Sequence, residues 1–292
     1  MPWIVAAIAL IALLGWCLHH ARATLATAYI VRPTGPSGIV VGADGFVLEH
    51  VKAPAVLLLH GAGDTPQTLR YLAGELHRRG FHVVAPLLPG HGRNLESYAS
   101  VTADSIVDAA RRALAEQRAD RAWVGVIGIS MGGAIAARLA ADTPDLPALG
   151  LASPYLAMPP RIARVAALAP LWGPFVPVMR SAEGISLLDG AERARSLAYG
   201  VFTPGALRAL ATIVRDAAAA LPRVAAPTLV VQSREDNRIS VSAAERAFAR
   251  LGAREKRLEW VSGAAHIITV DYGRDQVNAS LASWMEAHRI SR

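Results

Sequence analysis

Residues 124–133 read Val-Gly-Val-Ile-Gly-Ile-Ser-Met-Gly-Gly, an aliphatic run that meets a serine between glycines and passes straight into a small-residue stretch. The run Trp123–Ile129 predicts a strand covered on both faces, and Ser130–Ala141 predicts a helix. Taken alone, Gly128-x-Ser130-x-Gly132 is a modest signal, because three positions filled by common residues match about once in ten chains of this length. Its place at a strand-to-helix junction sharpens it. Such a turn forces strained dihedrals on Ser130 and brings neighbouring backbones close, so the flanking positions need residues without a side chain. The turn also points the Ser130 hydroxyl outward at a helix N-terminus, where peptide dipoles favour developing negative charge.

Outward from this junction, strands and helices alternate. Val56–Leu59 is an aliphatic strand, Thr65–Arg79 a helix with Pro66 in its first turn, His82–Leu88 a strand and Thr102–Gln117 a helix. Ala148–Ala152 is a further strand. The pattern resumes with strand Thr228–Val231, helix Val241–Leu251, strand Arg257–Val261 and a last helix near Asp271–His288. Alternation of this length implies an α/β fold, a mostly parallel sheet with helices on both faces. Upstream, Ile39–Val41 and Phe46–Leu48 around Gly42–Gly45 form a hairpin pattern, and Tyr29–Ser37 is a linker or irregular approach. Between the two halves lies Pro154–Ala226, which shows no convincing strand and several alanine-rich helical stretches. It reads as an inserted helical cap over the carboxyl ends of the strands, where such sheets place their ligands. The chain therefore divides into an N-terminal segment 1–28, a first core part 38–153, a cap 154–226 and a second core part 227–290.

Composition narrows the function classes. With 292 residues, 53% of them hydrophobic, and a formal net charge of +7, a sizeable core is expected and disorder is excluded. One cysteine, Cys17, cannot cross-link its own chain. Lys52 and Lys256 are the only lysines, so 28 of the 30 basic residues are arginine, scattered without a long run. No aromatic–basic interleaving marks a nucleic-acid surface, so no nucleic-acid partner is expected. No HExxH or clustered His/Asp spacing occurs, so no metal or other cofactor is expected.

Trp3–Leu18 is uncharged and apolar, with Trp3 and Trp16 near its ends as interfacial aromatics stand. Its sixteen residues would span about 24 Å as a helix, against a hydrocarbon core of about 30 Å. The first cations, Arg22 and Arg32, follow it, which favours a retained membrane anchor with the downstream domain cytoplasmic. The alternatives are export with cleavage near Ala21-Arg22-Ala23, or a helix buried against the rest of the protein.

A serine hydroxyl needs a base. Among nine histidines, His19 and His20 lie in the apolar segment, and His50, His77, His82 and His288 read as surface residues. His266 follows the last strand in the small-residue loop Ser262–Ala265, on the same sheet edge as Ser130. An acid must orient the imidazole, and Asp236 follows strand Thr228–Val231 at its carboxyl end. Glu235 is its neighbouring rival, and Asp271 better suits a helix cap. His60-Gly61-Ala62-Gly63 follows the Val56–Leu59 strand, and the N–H groups of Ala62 and Met131 are candidate oxyanion donors. His60 reads as a brace for that loop, and His91 in Leu88-Pro89-Gly90-His91-Gly92 as structural.

GISMGG (128–133), HGAG (60–63), PLLPGHG (86–92), PTLVVQSREDNRI (227–239) and AAHIITVD (264–271) together resemble the α/β-hydrolase superfamily, in particular its bacterial carboxylesterases and monoacylglycerol lipases. The resemblance spans about residues 50–288 and is weakest in the cap. It implies the α/β-hydrolase fold, Ser130 as nucleophile, Asp236 and His266 as its partners in the order that fold uses, and Ala62 and Met131 as backbone oxyanion donors. Ala265 departs from the family, where many members carry glycine before the histidine, and an added methyl would crowd the loop. The expected activity is a metal-independent serine esterase acting on a small-molecule or lipid ester, with lipid-derived or monoacylglycerol-type substrates suggested by the apolar N-terminus. The alternatives are a thioesterase, acyltransferase or peptidase on the same fold, or a non-catalytic binding protein. In the cap, Leu168–Val176 is apolar enough to line an acyl pocket, which nominates Trp172 and Phe175 as substrate contacts, against simple packing between cap helices.

Overall fold

The computed structural model describes residues 2–27, 32–180 and 186–289. The chain begins with helix α1 (Pro2–Thr27), followed by β1 (Phe46–Leu48), β2 (Ala55–Leu59), α2 (Arg70–Arg78) and β3 (His82–Ala85). Next come α3 (Leu95–Ala99), α4 (Ala103–Asp120), β4 (Val124–Ile129), α5 (Met131–Asp142) and β5 (Leu149–Ala152). Helices α6 (Pro160–Ala167) and α7 (Ala169–Trp172), strand β6 (Met179–Arg180), helix α8 (Gly190–Arg195), strand β7 (Val201–Phe202) and helix α9 (Pro204–Ala220) follow. The chain then completes the sheet with β8 (Thr228–Ser233), α10 (Val241–Arg250), β9 (Lys256–Val261) and α11 (Arg274–Arg289).

Seven strands form one sheet in the order β1-β3-β2-β4-β5-β8-β9, parallel throughout except for β1, which runs antiparallel to β3. The aliphatic runs are buried because helices cover both faces, and the two-residue period of a strand divides them. Leu57, Leu59, Val126, Leu149 and Leu151 pack on the side of α4, α5 and α9. Val56, Leu58, Ile127, Ile129 and Val231 face the side of α2 and α11. Local signals set the helix starts: Thr102 and Ser105 form a reciprocal capping box at α4, and Ser240 caps α10. Strand β3 stops before Pro86, three residues short of the run His82–Leu88, since proline cannot donate to the ladder.

Three expectations change. Residues 39–41 and 46–48 do not form a hairpin. Val40 bridges Thr34 and donates to the Gly92 carbonyl, while β1 pairs with β3 (Phe46 opposite Ala85), so the sheet outcompetes the local turn. Within 154–226, β6 and β7 make a small antiparallel ladder, too short to show a periodicity. Further, α9 lies against α4 and α5 and buries Leu207, Leu210, Ile213 and Val214, so this last part of the stretch is a layer helix of the core.

At the N-terminus the helix outlasts the apolar run, reaching Thr27, and only its 2–21 part is apolar and long enough to cross a membrane. Trp3, Ile4, Ile8 and Ile11 are exposed, whereas Cys17 and Ala21 are buried, with α1 passing beside α3. Of the irregular approach 29–37, residues 29–31 lie outside the described residues.

Candidate active site

Strand β4 delivers Ser130 to the carboxyl edge of the sheet with φ 53° and ψ −119°, a conformation that L side chains rarely adopt. The turn is held by close backbone approach. A Cβ on Gly128 would run into the Gly132 carbonyl, and one on Gly132 into the Leu59 carbonyl of β2. Ser130 N–H donates to Ala152 O (3.1 Å) and Tyr155 N–H to Ser130 O (3.0 Å), which fixes the elbow between β4 and β5.

The same edge receives His266 from the loop after β9 and Asp236 from the loop after β8. Ser130 Oγ lies 2.8 Å from His266 Nε2, and His266 Nδ1 lies 2.8 Å and 3.0 Å from the two oxygens of Asp236. A carboxylate only accepts, so Nδ1 carries the proton and Nε2 is the acceptor for the serine hydroxyl. Burial pulls the Asp236 carboxyl up, but it is outweighed by the His266 imidazole and by the N–H groups of Arg238 (2.7 Å) and Ile239 (3.0 Å), which together hold it below the usual range. Glu235 takes no part, accepting instead from Ser233 Oγ and Gly263 N–H.

His60 is wholly buried, its Nδ1 donating to Gly61 O (2.9 Å) and its Nε2 accepting from Leu88 N–H (3.0 Å), so one ring joins the loops after β2 and β3. Burial, with the neighbouring His91, lowers its pKa well below the ordinary value, and burial lowers that of His91 to about 4. Both rings are therefore neutral scaffolding at pH 7. The brace places Gly61 beside Ser130, and Ala62 next to it in the cavity wall.

The family model described as serine aminopeptidase, S33 (Hydrolase_4) matches residues 50–272, about three-quarters of the chain. The chain belongs to this family. It is an α/β-hydrolase that resembles carboxylesterases and monoacylglycerol lipases. A thermostable monoacylglycerol lipase of Bacillus sp. (strain H-257) is 26% identical over 239 residues, covering 82% of this chain and 92% of the relative. A carboxylesterase of Bacillus subtilis (strain 168) is 24% identical over 237 residues, covering 80% and 92%. Among solved structures, one from work on the metagenome-derived lipolytic enzymes LipS and LipT superposes with a TM-score of 0.78 at 27% identity, over 86% of this chain and 100% of that one. A monoacylglycerol lipase from Paleococcus ferrophilus shares the fold, with a TM-score of 0.70 at 21% identity over 84% of this chain and 98% of that one.

In this member of the S33 family, Ser130 and His266 open onto a cavity of about 600 Å³. Its apolar wall comes from Tyr155, Met158, Ile162 and Val165 at the start of the cap and from Phe202, Leu207 and Leu210 around α9. Trp172 and Phe175 are not in that wall, which corrects their assignment as substrate contacts. The Trp172 indole needs an acceptor and takes Val165 O (2.8 Å), which draws it into the packing between α6 and α7, while Phe175 is 60% exposed. His82 departs from expectation as well: it is buried in β3, where its Nδ1 accepts from His50 N–H. Ala265 is accommodated, because the left-handed position of its loop falls at Gly263 (φ 79°).

Three polar groups at this edge were not legible as site residues. Gln232, at the buried end of β8, donates from Nε2 to Asp236 Oδ2 (2.7 Å), and a polar residue closing an aliphatic run was its only signal. Asp64 is buried in the cavity wall, where desolvation raises its carboxyl to about 6 against hydrogen bonds from Thr65 N–H and Thr68 Oγ. Asp271, expected as a helix cap, has its carboxylate accept from the N–H groups of Leu188, Asp189, Ala265 and Tyr272 and, among the described residues, from no amide of α11. Among the described residues, no group of three or more His, Cys, Asp or Glu is placed to hold a metal ion.

Proposed function

We propose that the protein is a serine carboxylic-ester hydrolase working through an acyl-enzyme on Ser130. The observation that carries this reading is the unbroken hydrogen-bonded series Ser130–His266–Asp236 at the floor of a largely apolar cavity. Ser130 Oγ attacks the ester carbonyl as its proton passes to His266 Nε2. The imidazolium is stabilised by Asp236, which stays ionised. Collapse of the tetrahedral intermediate expels the alcohol, protonated by His266, and leaves the acyl group on Ser130. Water, deprotonated by the same nitrogen, then releases the acid and restores the serine. The oxyanion is held by the N–H groups of Ala62 and Met131. Met131 opens α5, so its N–H is one of the first-turn amides that no intrahelical carbonyl satisfies.

Lipid-derived, monoacylglycerol-type esters are the proposed substrates. Supporting this are the names of two relatives, a monoacylglycerol lipase and a carboxylesterase, and the aliphatic cavity wall. A thioesterase, acyltransferase or peptidase would use the same triad, and the family's description raises the aminopeptidase case. An aminopeptidase must hold a substrate ammonium with an ionised carboxylate. Among the described wall residues the acid is Asp64, raised to about 6 and hydrogen-bonded within the protein, while Arg32, Arg180, Arg193 and Arg238 also line the cavity. That balance favours esters over peptides.

The 2–21 part of α1 is long enough, at about 30 Å, to cross a hydrocarbon core and is apolar on all sides. We infer that it anchors the enzyme in a membrane with the hydrolase domain in the cytoplasm; export after cleavage of the segment is the alternative.

One experiment addresses both inferences. A fluorophosphonate probe applied to separated membrane and soluble fractions is expected to label the full-length chain in the membrane fraction. A shortened labelled chain in the exported fraction would instead establish cleavage. Ser130→Ala should abolish labelling and cut p-nitrophenyl ester turnover by about 10⁴-fold or more. Purified Ser130→Ala retaining near-normal turnover would refute the nucleophile, and an ester, thioester and peptide panel fixes the acceptor class.

A further inference from the structure

Asp271 lies five residues after His266, wholly buried, and among the described residues every hydrogen bond to its carboxylate comes from a backbone amide. Oδ2 accepts from Ala265 N–H at 2.7 Å, immediately before His266. Oδ1 accepts from Asp189 N–H at 2.8 Å and Tyr272 N–H at 2.9 Å, and Leu188 N–H is 3.0 Å from both oxygens. Leu188 and Asp189 belong to the cap's return stretch, residues 186–189, where the chain comes back to the triad loops just before α8. The nearby guanidinium of Arg274 is bonded to Asp189 and to the Val270 carbonyl.

Two further bonds tie that return stretch to the triad loops. Ile267 N–H donates to Ser186 O at 3.1 Å, and Arg238 Nε donates to Ser186 Oγ at 3.1 Å. Arg238 in turn donates its backbone N–H to Asp236. Residues 186–189 are thus fastened to the base's loop on one side and to the acid's loop on the other. A buried carboxylate has a high desolvation cost and persists only where its acceptors are fully used. Here the donors come from two segments, the loop around His266 and the cap stretch at 188–189, so the carboxylate adds its own link to those made by Ser186. A helix-capping role does not account for them, because it is the backbone carbonyl of Asp271 that receives Arg274 N–H near the start of α11.

We propose that Asp271 is a positioning residue: it clamps the cap's return stretch to the loop of His266, so that the seating of the cap sets the placement of the imidazole over Ser130. The clamp acts through His266 and touches no substrate. The proposal rests on the reading of Ser130 and His266 as nucleophile and base. Displacement of a catalytic group by about 1 Å costs on the order of 10²-fold in rate, so a loosened clamp acts mainly on turnover.

Asp271→Asn keeps the shape but turns one oxygen into an NH₂ facing amide donors. It is expected to slow fluorophosphonate labelling of Ser130 by about tenfold or more. The kcat for a short p-nitrophenyl ester should fall by a similar factor, with KM changed far less and a cooperative thermal transition retained. A folded Asp271→Asn chain labelled within about twofold of wild type overturns the proposal. The second measurement needs no variant. Amide exchange in the wild-type chain is expected to place Ala265, Leu188 and Asp189 in one slow class, and phosphonylation of Ser130 to slow all three together. Leu188 and Asp189 exchanging orders of magnitude faster than Ala265 would also overturn it. A wild-type chain that takes no label refutes the nucleophile assignment itself, and the exchange classes then decide the clamp separately.

Discussion

The carboxyl edge of the sheet and the cap above it are built in opposite ways. At the edge, backbones approach so closely that a methyl group on Gly128 or Gly132 would overlap a carbonyl, and Ser130 is held at a positive φ. The cap, in contrast, consists of short helices and a two-residue ladder, and it leaves Leu168, Leu171 and Phe175 more than half exposed. Tight backbone packing holds reacting groups to fractions of an ångström, whereas loose side-chain packing adapts to what it encloses. On the proposed reading, the difference leaves chemistry to the edge and selectivity to the cap.

Substitutions can break or sharpen that division. The largest effect is expected from Asp236→Asn, which disturbs the tautomer of His266 and should lower kcat by about 10³–10⁴-fold without unfolding the chain. A fall of less than tenfold would place the acid elsewhere. Next is Asp64, which burial raises to about 6. An acid raised on folding binds its proton more tightly in the folded state, so its contribution to stability falls as pH rises from about 4 through about 6. The urea-derived stability of wild type relative to Asp64→Asn should therefore drop by roughly 2–3 kcal/mol over that window. A pH-independent difference would rule out a titrating Asp64.

Smaller effects test the cap. Ile162→Trp fills the cavity wall and should shift the preferred p-nitrophenyl ester toward shorter chains, with roughly tenfold loss on long ones. Trp172→Ala should leave the chain-length profile unchanged and lower Tm by a few degrees through lost packing. A profile that moved with Trp172 and not with Ile162 would reverse the assignment of the wall.

Much of the edge is legible in the sequence. Ser130 and Asp236 follow aliphatic strand runs within a few residues, His266 follows the mixed strand run 257–261, and the small residues of 60–63 and 128–133 announce close backbone approach. These are local signals, because strand burial and turn chemistry are written in adjacent residues. Local reading failed where the partner was remote. Residues 46–48 pair with β3 instead of 39–41, His82 is buried by neighbours distant in sequence, and Asp271 binds amides 82 and 83 residues upstream.

Periodicity and glycine placement alone thus determined the parallel α/β layering, the strained serine turn and the three loops that meet at one edge. Only the tertiary structure decided which cap side chains face the cavity, that α9 is a core helix, and that Asp271 joins cap to loop. The physical reason is range: a strand's period or a turn's dihedrals depend on a few consecutive residues, whereas the inward face of a cap helix depends on which surfaces it meets once the sheet beneath it has formed.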